Sequence, residues 1–86
     1  MEYIYKPSGV CSQLMRVTLD GDTVEKVEVL GGCSGNLQGI SKLVEGMDAH
    51  EAVRRMRGIR CGRKPTSCPD QLSKAIEAAL AAEKAQ

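Results

Sequence analysis

The sequence predicts an α+β domain, a small antiparallel three-stranded sheet covered by three helices. Two observations carry that prediction. Apolar residues alternate with polar ones at period two as far as Leu30, and from Asn36 onward they recur at helical spacing. Between the two halves stands a glycine-rich loop, Gly31-Gly32-Cys33-Ser34-Gly35-Asn36, so strands come first and helices after.

Tyr3-Ile4-Tyr5 reads as a first strand, ended by Pro7 and Gly9. Leu14 to Leu19 sets Met15, Val17 and Leu19 on one face, Asp20-Gly21-Asp22 turns the chain, and Thr23 to Leu30 returns as the second arm of a hairpin. The first strand is expected to pair with the first arm. Leu37, Ile40, Leu43 and Val44 recur at helical spacing, and Gly46 stops that helix. Asp48 with Glu51 three residues on makes a capping box for a short second helix carrying Ala52, Val53 and Met56 and closed by Gly58. Ser67 with Asp70 repeats the pattern for the last helix, whose apolar stripe is Leu72, Ala75, Ile76, Ala79 and Leu80. Its alanines raise helix propensity, and Ala81 to Gln86 are expected to fray.

A chain of 86 residues is read as one small domain, residues 1–86, and with no Trp, no Phe and two Tyr its core must come from Val, Ile, Leu, Met and Ala. So thin a core leaves room for a metal or an oligomeric interface to contribute to stability. A formal charge of +1 exerts no global pull toward nucleic acid or membrane. Met1 to Pro7 lacks the basic start and apolar run of a secretory signal, and no stretch has the apolar length to cross a bilayer. The expected location is the cytoplasm, where thiols are kept reduced.

That setting gives meaning to the four cysteines, Cys11, Cys33, Cys61 and Cys68. Two of them lie in glycine-punctuated turns where backbone can bend around an ion, and four thiolates close a tetrahedral zinc sphere unaided. An iron–sulfur cluster would also take thiolate sulfur, and redox-active thiols and structural disulfides are further alternatives. The only close pair is Cys61 and Cys68, with six residues between them, so the ligands must be gathered by the fold. Cys11 sits at the mouth of the hairpin, the second arm brings the chain back to that end before Cys33, and Cys68 opens the last helix, where the dipole favours a thiolate. These three can converge, with Cys61 closing the set through its loop.

Arg54, Arg55, Arg57, Arg60, Arg63 and Lys64 form the one concentrated charge run. It reads either as a solvated face or as a docking patch for an acidic partner or a phosphate. Without interleaved aromatics it is weak evidence for nucleic acid. His50 reads as a surface residue, and Tyr3 and Tyr5 as covers of the core. No Ser-His-Asp set, phosphate loop or carboxylate pair is recognisable, so side-chain catalysis other than by thiols has no support.

Thr66-Ser67-Cys68-Pro69-Asp70 resembles the name-giving motif of the TSCPD domain family, a C-terminal module of adenosylcobalamin-dependent ribonucleotide reductases that also occurs as short stand-alone proteins. Gly31 to Ile40, Leu43 to Met47 and Gly58 to Gly62 are similar to the short members as well. The resemblance implies a cysteine-rich zinc module linked to ribonucleotide reduction; beside a reductase or another acidic protein, the basic run with Arg54, Arg55 and Arg57 is the charge that would meet it. Any reductase label would be inherited from larger relatives, because 86 residues cannot contain the reductase barrel. A more remote resemblance is to the IscU/NifU iron–sulfur scaffolds, in which one cysteine precedes a hairpin, one follows it and one opens a late helix. It implies an IscU-like fold, and a cluster scaffold or carrier as the alternative function. Here the acidic residue expected beside the first cysteine is replaced by Ser12-Gln13, the histidine expected before the last is Ser67, and Cys61 is extra.

Overall fold

Three strands precede three helices in the computed structural model of the chain, which describes residues 2–7, 12–31, 34–60 and 62–84, with backbone alone at 12, 13 and 34–37. Strands β1 (Glu2–Tyr5), β2 (Ser12–Asp20) and β3 (Thr23–Gly31) form one antiparallel sheet in the order β1-β2-β3. Helices α1 (Ser34–Val44), α2 (Ala49–Met56) and α3 (Cys68–Lys84) follow. The α+β class and the strand pairing match the expectation from periodicity.

The hairpin turns over Gly21-Asp22, with Asp20 paired to Thr23 and Gly21 at φ 61°. A two-residue loop of this kind takes glycine at its first position because that conformation crowds a Cβ. Register then decides the faces. Met15, Val17, Leu19, Val24 and Val27 are buried, while the opposite face carries Glu2, Arg16, Lys26 and Glu28 in a cross-strand ladder of exposed ion pairs. Exposed Ile4 lies opposite Arg16 of that ladder, and exposed Leu14 and Leu30 pair beyond it, toward the end of the sheet nearest Ser12 and Gly31.

Helix α1 packs against β3 and α3 against β1 and β2, while α2 packs on α3. Leu72 and Ile76 of α3 are fully buried, and so are Ala49 and Ala52 of α2 and Ala75 and Ala79 of α3. The alanines expected to support helicity therefore also let elements approach closely in a core without Phe or Trp. Helix α3 runs on to Lys84, past the frayed tail expected from Ala81, with Ala82 and Glu83 half-buried. Residues 85 and 86 lie outside the described residues.

Helix α1 departs from the expected stripe. Leu43 is 77 % exposed, whereas Ser41 is buried beside Val44. A helix turning about 100° per residue puts 41 and 44 on one side and 43 well away from it. Val44 and Ile40 of the expected stripe meet the core as read, whereas Leu43 turns away from the face that packs on β3 and Ser41 takes the inward place.

Candidate metal centre and the Thr66–Asp70 motif

Each cysteine reaches the fold through a different element, so the positions of those elements frame the candidate centre. Cys68 is the first residue of α3 and is half-buried. Cys11, Cys33 and Cys61 lie outside the described residues, so the four-cysteine expectation can be followed only through their chain neighbours. Ser12, next after Cys11, pairs with Gly31, two residues before Cys33. One end of the sheet therefore receives the chain after Cys11 and releases it before Cys33.

Helix α3 opens over that same end. Tyr5, opposite Met15 at the Ser12 side of β1, donates from its hydroxyl to Gln71 Oε1 at 3.4 Å, three residues into α3 from Cys68. At the far end of the helix, Leu80, Glu83 and Lys84 line a hollow with Gly21 and Asp22 of the hairpin turn. The helix thus runs along the sheet from its open end to its hairpin end. Among the described residues, no group of three His, Cys, Asp or Glu side chains could hold a metal ion.

The residues around Cys68 form a buried polar clamp. Asp70 receives the Gly58 N–H at 2.8 Å on Oδ1 and the Thr66 hydroxyl at 2.5 Å on Oδ2. Gln71 Nε2 donates to Thr66 Oγ1 at 2.9 Å. Ser67 Oγ donates to the Ile59 carbonyl at 2.6 Å and accepts the Asp70 N–H at 3.2 Å, capping α3. Both ends of the 58–67 loop that carries Cys61 are therefore tied to the first turn of α3. The Thr66 hydrogen bond, then that from Gly58, holds the Asp70 carboxyl below its ordinary pKa, with Lys74 and Arg57 adding weaker attraction.

The helix-start motif at Ser67 and Asp70 is thus half a capping box. The serine caps as expected, but the Asp70 side chain reaches across to Gly58 instead of returning to Ser67. Thr66, Gln71 and Gly58 were not singled out for this clamp in the sequence. A hint was present in polar residues bracketing an apolar helix start, but only the fold brings Gly58 to the carboxylate.

The second helix shows the same divergence. Asp48 caps α2 by accepting the Glu51 N–H at 3.0 Å. The Glu51 carboxylate turns instead to two guanidiniums, Arg54 at 2.6 and 3.0 Å and Arg55 at 2.8 Å. Those bonds, Arg54's first, hold Glu51 below the usual carboxylate range, and Glu51 in turn raises Arg54. Arg57, Arg60, Arg63 and Lys64 are exposed. His50 is exposed with Nε2 3.5 Å from Asp22 Oδ1, and Tyr3 and Tyr5 pack at the margin of the core, as read from the sequence.

The strands-then-helices order and the clamp around Cys68 define a small α+β module whose last helix opens with a cysteine. A family model, the TSCPD domain, matches residues 3–80, and the chain belongs to that family, which is associated with ribonucleotide reductases. No curated protein and no solved structure matched it. The likeness to iron–sulfur scaffolds accordingly rests on the order of the cysteines. No helix among the described residues is long and apolar enough to cross a membrane.

Proposed function

We propose that this chain is a zinc-binding accessory module of ribonucleotide reduction, with Cys11, Cys33, Cys61 and Cys68 as the ligands. The observation that carries the reading is the shared end of the fold: β2 begins one residue after Cys11, β3 ends two residues before Cys33, and α3 opens there with Cys68. The clamp by Asp70 and Ser67 supports Cys61 as the fourth ligand, because it ties the loop that carries Cys61 to the same helix start. The donor set suits the ion. Four thiolates satisfy zinc's tetrahedral preference, and zinc so enclosed supplies a cross-link rather than an open position for substrate. Thiolate ligation leaves about two excess negative charges, which the cations of the 54–64 segment offset. Those cations, Arg54, Arg55 and Arg57 foremost, are also the means of meeting an acidic partner such as a reductase, in the cytoplasm.

The deciding experiment is elemental analysis of protein purified aerobically without added metal, repeated for each Cys→Ala variant. The expected result is about one zinc per chain, weakened by every one of the four substitutions. Full zinc retention by Cys61→Ala would overturn the four-thiolate site in favour of an open, three-cysteine one. A brown chromophore in place of zinc would make the chain a cluster scaffold or carrier. A reversible Cys61–Cys68 disulfide with no bound metal would make it a thiol-redox partner.

A further inference from the structure

Of the six buried polar side chains among the described residues, four fall between positions 66 and 71: Thr66, Ser67, Asp70 and Gln71. No buried side-chain nitrogen or oxygen among the described residues lacks a hydrogen-bond partner. Polar groups buried in so thin a core add little cohesion, but a fully hydrogen-bonded network fixes the segments it joins. The segments joined here are the two sides of the loop that carries Cys61.

One carboxylate grips both sides. Asp70 Oδ1 accepts the Gly58 N–H at 2.8 Å while its Oδ2 accepts the Thr66 hydroxyl at 2.5 Å, and the Ser67 hydroxyl pins the Ile59 carbonyl at 2.6 Å. Helix capping does not account for the carboxylate, because Ser67 Oγ already accepts the Asp70 N–H. The clamp is itself anchored to the sheet: Gln71 Nε2 donates to Thr66 Oγ1 at 2.9 Å, and Gln71 Oε1 accepts the hydroxyl of Tyr5 at the end of β1. Chain length does the rest. Consecutive Cα atoms are about 3.8 Å apart, so the chain can place Cys61, two residues after Ile59, no more than about 7 Å from that pin, and Cys68 follows Ser67 directly.

We infer that Asp70 and Thr66 are positioning residues, which hold the Cys61 loop closed on the start of α3 so that the thiols of Cys61 and Cys68 meet a metal ion with the loop already in place. The inference rests on the reading of the cysteines as zinc ligands and adds what sets their hold on the ion. Without the clamp, closing the loop would fall to the metal itself, which weakens binding and hastens release.

The test follows zinc transfer from the loaded full chain to a chelating dye. Thr66→Val, which removes the hydroxyl but keeps the shape, should release zinc about tenfold faster, and Asp70→Ala faster still. Thr66→Ser, which keeps the hydroxyl, should hold zinc as the wild type does. Val24→Ala, which loosens the fully buried core near the hairpin turn, should lower the melting temperature without changing release. Wild-type release from Thr66→Val or from Asp70→Ala overturns that residue's role, and equal acceleration by Val24→Ala reduces the clamp to general stability and overturns both. The zinc reading fails separately, if the wild-type chain carries no zinc. Positioning is then read in the reduced chain, from the rate at which oxidised glutathione closes a Cys61–Cys68 disulfide: one thiolate displaces a first glutathione thiolate, and the other cysteine displaces the second. Closure slowed about tenfold by Thr66→Val upholds the positioning role, and an unchanged rate overturns it.

Discussion

Asp70 is only 5 % exposed, yet its charged form is favoured, because the Thr66 hydroxyl and the Gly58 N–H donate to its carboxylate and Lys74 and Arg57 attract it. Its pKa in the fold lies below that of an unfolded aspartate, about 3.9, so the unfolded chain binds the proton more readily. The carboxylate's stabilisation is therefore fully present above that value and is lost as the pH falls through the lower folded one. Asp70→Asn should cost about 1–3 kcal/mol at pH 7. In paired melts the gap between wild type and variant should shrink as the pH is taken below about 4. A gap of the same size at both ends of the titration would mean that ionisation contributes nothing. The five-residue string announces Asp70 as a helix-start residue, yet nothing in it reveals Gly58 as a partner twelve positions upstream.

At the scale of elements, two glycines separate space from backbone conformation. Gly39 lies inside α1 and Gly58 follows α2 at φ 82°, and a Cβ would meet nothing within 4 Å at either. Gly39→Ala should stabilise by about 0.5–1 kcal/mol, since it removes the entropy a helical glycine forfeits. Gly58→Ala should destabilise by about 1–2 kcal/mol, since an L side chain resists the positive φ of the turn that follows the Arg57 cap of α2. Denaturant midpoints would settle the pair, and a shared sign would refute the assignment of either position. The helix boundaries themselves were legible, because Asp48, Ser67 and Gly58 signal them through local chemistry. Which side of α1 faces inward was not, because Leu43 and Ser41 trade the places their hydropathy suggests once the helix is laid against β3.

For the molecule as a whole, the buried core among the described residues is built of aliphatic side chains, methionines and alanines, with Met15, Leu19, Leu72 and Ile76 its largest fully buried apolar members. Little reserve remains for a clamp across several elements to be removed, so the proposed zinc binding should be coupled to folding. A chelator that strips the ion should lower the thermal midpoint by about 10 °C or more, as follows for a domain this small if the ion contributes a few kcal/mol. An unchanged melt after proven stripping would mark the ion as exchangeable cargo. The α+β order, the hairpin and the caps were determined by the sequence itself, because periodicity and turn chemistry act within a few residues. The pairing of Ser12 with Gly31, the crossing of Asp70 to Gly58 and the inward turn of Ser41 were decided only by tertiary structure. Each depends on which face one element offers another, and that is set by the packing of the whole core.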